Sequence, residues 1–253
     1  MFRNLIFLFL IELIFLLPVA GQENLESLLD EKAAADSIYT MEALFKGTRI
    51  INGHSVKTTA PGEFVFIVTH RFGEVRSSYQ NTFDVFVKTS LRQQKSSNRP
   101  PVTLVYLAEV SQNTIKNIFP PEKDDFWGRL TTSHQLLAAR KITPSFTFQV
   151  APTLSYSVYN PVVAQQTTIF ANGFAARLKL TNRITLNGEY YLILEDNLNT
   201  ELTDPLAIGV NIETGGHIFQ LHFTNTQAPF LKGFLGGPNG DWFKGEFYFG
   251  FNI

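Results

Sequence analysis

Beyond about residue 60 one pattern governs what this chain can fold into: apolar and polar side chains alternate with a period of two. Phe83, Val85 and Val87, followed by Leu91, share one face while Asp84, Lys88, Ser90 and Arg92 share the other. Val102, Leu104, Tyr106, Ala108 and Val110 repeat it, as do Phe146, Phe148, Val150 and Leu154 against Thr147, Gln149 and Thr153. Ile184, Leu186, Tyr190, Leu192 and Leu194 follow, with Asn187 and Glu189 opposite, then Leu206, Ile208, Val210 and Ile212. The chain ends on Phe247, Phe249, Phe251 and Ile253. Successive side chains of a strand point to opposite faces, so each segment is a half-buried antiparallel strand.

The spacing predicts about ten strands, at 63–72, 82–92, 102–112, 128–140, 144–156, 168–180, 184–195, 206–213, 217–225 and 244–253. Most reach the 9–11 residues that a tilted strand needs to cross a bilayer. Connections after the odd-numbered strands read as long, including 113–127 and 226–243. Three of the four others read as tight turns, at 141–143, 181–183 and 214–216, with 93–101 the exception. Long loops at one end and short turns at the other are the asymmetry of an outer-membrane barrel with both termini in the periplasm.

A soluble β-sandwich or closed soluble barrel alternates in the same way, its apolar face turned inward. Two features favour the membrane. Phe72, Phe126, Trp127, Tyr156, Tyr190 and Trp242 lie near strand ends, where an aromatic girdle meets the interface. Phe247, Phe249, Phe251 and Ile253 give the last strand the look of a C-terminal signal for the outer-membrane barrel assembly machinery, although the final residue is Ile. The predicted fold is therefore an all-β, up-and-down transmembrane barrel with a lipid-facing apolar surface. Its candidate lumen lining is Asp84, Lys88, Arg92, Glu109, Gln149, Arg177, Lys179, Asn187 and Glu189. In a barrel this narrow, opposite charges can pair across the lumen and plug it.

The N-terminus reads as an address. Arg3 precedes an apolar run at 5–17, broken only by Glu12; Pro18 ends it, and Val19, Ala20 and Gly21 form a cleavage site. Residues 1–21 are read as a signal peptide, 22–47 as an acidic periplasmic segment, helical or disordered, and 48–253 as the barrel. No later stretch is apolar for the roughly 18 residues of a membrane helix.

Composition removes other classes. With 21 Lys and Arg against 22 Asp and Glu there is no cationic surplus for a nucleic acid. Without Cys there is no disulfide framework, thiolate nucleophile or lipid-anchored mature terminus. His217 and His222 are five apart on one strand and point to opposite faces, while His54 and His70 have no carboxylate pair, so no metal site or cofactor is expected. Ser133 and His134 are adjacent and face opposite ways, which denies a lipase-like pair, and no enzymatic activity is expected. The run 236–240 is glycine-rich but lacks the Lys of a phosphate loop, and Glu122, Lys123, Asp124 and Asp125 lack the ligand order of a calcium loop.

Several phrases are specific. They are Phe45-Lys46-Gly47-Thr48-Arg49-Ile50-Ile51-Asn52-Gly53-His54-Ser55-Val56 leading to His70-Arg71-Phe72-Gly73, and Ala175-Ala176-Arg177-Leu178-Lys179-Leu180-Thr181 with Asn187-Gly188-Glu189-Tyr190-Tyr191. Further on come Ile212-Glu213-Thr214-Gly215-Gly216-His217, continuing to Thr226, and Gly240-Asp241-Trp242 through to Ile253. Together they resemble the β-barrel family catalogued as domain of unknown function 5777, found chiefly in Bacteroidetes-type Gram-negative bacteria. The resemblance covers the chain from Phe45 onward and implies an outer-membrane or envelope barrel of about 12 strands with no assigned activity. Here one strand pair is missing between Gly73 and Phe83, which keeps the strand number even and narrows the barrel.

The functional expectation is an outer-membrane protein, in contact with lipid, that is structural or a small-solute conduit. Two alternatives stand beside it: an envelope scaffold engaging a protein partner through its long loops, and a secreted soluble barrel binding an apolar ligand.

Overall fold

A computed structural model describes residues 44–59, 69–72, 82–95, 101–115, 118–194, 202–214, 217–237 and 239–253. The predicted signal peptide and most of the acidic segment lie outside the described residues.

Ten antiparallel strands form one sheet: β1 (Thr69–Phe72), β2 (Thr82–Arg92), β3 (Thr103–Asn113), β4 (Leu130–Lys141), β5 (Phe146–Asn160), β6 (Gln165–Lys179), β7 (Ile184–Ile193), β8 (Leu206–Thr214), β9 (His217–Thr224) and β10 (Tyr248–Asn252). Neighbours from β2 to β10 are sequential hairpins, and β1 pairs with β10, Thr69 opposite Asn252. Among the described residues β1 and β2 are the two ends of the sheet and are not paired with each other. The sheet nevertheless curls through nearly a full turn. Residues 45–57 hydrogen-bond to Lys88 on β2, Gln149 on β5, Glu189 on β7, Gln220 on β9 and Asn252 on β10, so all those strands surround one short segment.

Polarity runs inside out. On β3, Thr103, Val105, Leu107, Glu109, Ser111 and Asn113 are buried, whereas Tyr106 and Val110 are exposed. Ser133, Gln135, Thr153, Ser155, Asn187 and Thr224 continue the inward polar surface on other strands, many bonded across the wall, as Ser133 is to Ser155 at 2.9 Å. Outward stand large apolar side chains such as Phe83 at 74% exposure, Val85 at 70%, Leu136 and Ile208. A soluble barrel would bury these and solvate the others. Here the apolar surface is left for lipid, which is the arrangement of a membrane barrel.

Two connections depart from the sequence reading. The fifth, expected to be long, is only residues 161–164, because β5 and β6 keep pairing out to Asn160 opposite Gln165. The tight reversal puts Ala164 at a φ of 56°, a left-handed conformation. The last strand begins at Tyr248, not at 244, because Trp242–Lys244 form a 3-10 turn capped by the Asp241 carboxylate.

Candidate functional site: a doubly plugged lumen

Residues 44–57 sit inside the barrel. They form a hairpin in which Ile50 N–H donates to Gly53 O at 2.8 Å and Ser55 N–H to Thr48 O at 3.0 Å, with Arg49 bridged to His54. The segment that the sequence reading divided between a periplasmic arm and the start of the barrel is thus the filling of the lumen. Phe45, Ile50, Ile51 and Val56 pack there against Val105, Leu137, Ala139, Ala151, Ala175 and Ala207. The wall residues in this layer are mostly small or medium, which leaves width for a pair of chains.

Wall side chains supply the hairpin with the partners that a neighbouring strand would give. The Glu189 carboxylate accepts from three successive amides, Ile51 at 3.2 Å, Asn52 at 2.8 Å and Gly53 at 3.1 Å. Gln149 accepts from Val56 N–H at 3.0 Å and donates to His54 O at 2.8 Å, as a β-ladder residue does. Lys88 Nζ donates to the carbonyls of Thr48, Ser55 and Lys57 at 2.6, 3.0 and 3.3 Å. Gln220 reaches Ile50 O at 2.5 Å, and Asn252 reaches Ile51 O at 3.1 Å. A buried main chain must have its polar groups paired, and these side chains do so.

From the opposite mouth the lumen is filled again. The connection after β9 folds a short helix, α1 (Leu231–Gly236), down onto the wall, with Leu231, Phe234 and Leu235 packed on Leu107, Ala171 and Tyr191. The Tyr191 ring lies 4.9 Å from that of Phe234. It also lies against Gly53 and Gly173, where an added Cβ would come within 2.2 and 2.6 Å of its atoms.

The two plugs touch through Arg49, which donates to Asn52 O and to Pro229 O, each at 2.7 Å. His54 and Glu109 are both fully buried, 3.3 Å apart, and Phe86 meets the imidazole edge-on at 4.6 Å. Burial, reinforced by the charges of Arg49 and Lys88, holds His54 well below its ordinary pKa, so a neutral ring meets the Glu109 carboxyl group through Nε2. Lys232 on α1 is lowered to about 8 by burial, partly offset by Asp84.

The nine sequence-derived lining residues divide accordingly. Lys88, Glu109, Gln149 and Glu189 hold the plugs. Asp84, Arg177, Lys179 and Asn187 also stand on inward faces. Arg92 does not face the lumen: a register shift between Ser90 and Arg92 pairs it with outward Leu104 and leaves it exposed. Main chain inserted into the barrel fills the lumen between these walls. Of the girdle residues, Phe126, Trp127, Tyr156, Tyr190 and Trp242 all lie toward the long-loop end, Trp242 stacked on Phe247 at 5.1 Å; the Phe72 side chain lies outside the described residues. Phe247, Phe249 and Ile253 are exposed, and Phe251 is half-buried. Ser133 faces inward, and His134 faces outward, 2.7 Å from Tyr106 Oη. His222 is buried on the inner face, and His217 is exposed. Among the described residues no group of His, Asp and Glu is arranged to hold a metal ion.

Sequence reasoning missed Arg49, Asn52, Gly53 and Tyr191 as parts of the site. The signals were present: Asn52-Gly53 is a strong turn pair, and Leu231, Phe234 and Leu235 have helical spacing inside a loop.

No curated protein and no solved structure matches the chain. A family match does exist and comes in two stretches, residues 45–83 and 75–253, which meet where the sequence departs from the family pattern. With apolar strands facing outward, a polar wall within and this match over nearly the whole described length, the chain belongs to the family of membrane-bound β-barrel domains of unknown function, DUF5777.

Proposed function

We propose that this is an outer-membrane barrel of a Bacteroidetes-type Gram-negative envelope, exported by its signal peptide and closed at rest by its own N-terminal hairpin. The observation that carries this reading is the Glu189 carboxylate holding the amides of Ile51, Asn52 and Gly53 in mid-lumen. A segment so held leaves no standing water path, so the barrel's resting role is structural. Solute passes only when the hairpin leaves. The reading involves no catalytic step and no cofactor.

Planar-bilayer recording of the folded full chain tests it. Wild type is expected to be silent, and Glu189→Ala combined with Lys88→Met is expected to show stepwise openings. Steady wild-type conductance would overturn the closed state, and a variant that folds but stays silent would assign closure to α1 alone.

A second reading, a scaffold for an envelope partner, is favoured by the long-loop end, where Phe243 is 100% exposed and Trp127 is 69% exposed. Phe243→Ser with Trp127→Ser would then abolish co-purification of that partner; an unchanged set of co-purifying proteins counts against it.

A further inference from the structure

Charge is sorted between the two ends of the barrel. At the short-turn end, three of the four hairpins carry a basic pair: Arg92 and Lys95 beside the β2–β3 turn, Arg140 and Lys141 before the β4–β5 turn, and Lys179 and Arg183 around the β6–β7 turn. The acid described there, Glu213, is already paired with Lys46 of the plug at 3.3 Å. Arg92, Lys95 and Arg183 are exposed. Arg92 owes its outward position to the register shift beside Ser90, which takes it out of the lumen and puts it on the lipid side. Gln94 braces this rim, its amide bonded to Lys141 N–H at 2.9 Å and to Lys141 O at 3.4 Å, so the first two basic pairs are held side by side. The long-loop end is the opposite: Glu122, Asp124, Asp125 and Glu246 are exposed, and of its cations Arg129 and Lys244 are taken up by Asp124 and Asp241 while Lys123 stands exposed among the acids.

We propose that the short-turn rim binds the phosphates of anionic phospholipids in the leaflet that surrounds it. An exposed cation on the outer wall just beyond the apolar belt meets the headgroup layer, where its attraction is to lipid phosphate. Guanidinium groups fit that oxygen geometry by forked donation. Arg92, Lys95 and Arg183, exposed on two of those hairpins, make an annular contact rather than a single pocket. The reading requires only a membrane-bound barrel and is independent of whether the hairpin closes the lumen.

The full chain, reconstituted in phosphatidylcholine vesicles, is tested with spin-labelled phosphatidylglycerol against spin-labelled phosphatidylcholine. The expected result is a motionally restricted fraction about threefold larger for phosphatidylglycerol. The preference is expected to fall to near unity in Arg92→Gln/Lys95→Gln/Arg183→Gln and in salt of about 1 M. A heat-dependent gel shift of the triple variant verifies that it folds. Equal restriction of both lipids by wild type would overturn the proposal, as would a preference that survives the triple substitution. So would a preference that disappears instead in Glu122→Gln/Asp125→Asn.

Discussion

At the scale of single residues, Glu189 and Gly53 carry the closure. The three amides that Glu189 pairs have no water to turn to, so Glu189→Ala leaves them unsatisfied and should lower the unfolding free energy by about 2–4 kcal/mol. Glu189→Gln, which keeps one acceptor oxygen, should lose roughly half as much. Urea titration in vesicles compares the two, and equal losses would mean that charge, not acceptance, is what the hairpin needs. Gly53 is tight for a different reason. A Cβ there would sit 2.2 Å from Tyr191 Oη, far inside contact distance, and the ring is held from behind by Gly173. Gly53→Ala should therefore displace the hairpin tip while the barrel still folds, giving protease cleavage within 44–57 that wild type resists. The sequence placed Glu189, Lys88 and Gln149 on a polar inward face. It did not reveal that their partners are main-chain groups more than 30 residues away, because backbone amides carry no residue-specific signature.

At the scale of elements, most of the strands were legible to within a few residues, since a one-residue slip would turn every apolar side chain into the lumen. The misreadings fall where the alternation stops being informative. Tyr156–Asn160 has a register shift between Ser157 and Asn160 that breaks the period, so β5 was ended early and its turn drawn too long. Arg92 was misplaced by the same kind of irregularity. Helix α1 is short and has no side-chain cap, so packing rather than propensity holds it. Phe234, fully buried against Tyr191, supplies much of that packing. Phe234→Ala should cost about 3 kcal/mol and free the 225–247 connection for proteolysis. If stability falls without new cleavage, other contacts keep the connection in place.

For the whole molecule the governing fact is inverted polarity. Leu136 lies mid-strand on β4, outward and 41% exposed. Leu136→Arg should destabilise the folded state by about 2–4 kcal/mol in vesicles, the cost of a cation on the lipid face near the bilayer midplane. A loss near zero would mean that this face does not meet hydrocarbon. The inward neighbour Gln135, bonded to Thr153 at 2.8 Å, offers the contrast: a charge there meets polar wall and not lipid.

The chain's own order of residues determined the strand number, the hairpin succession and which side chains share a face, because these depend on a local period of two and on turn residues a few positions apart. The aromatic residues near strand ends and the apolar last strand already favoured a lipid-facing apolar surface, but what fills the lumen was decided only when the sheet curled. Curling brings Lys88, Gln149, Glu189, Gln220 and Asn252 around a segment that in sequence merely precedes the first strand. Contacts of that kind are set by the radius of the curled wall and the width its small side chains leave free, and neither quantity is a property of any local stretch of sequence.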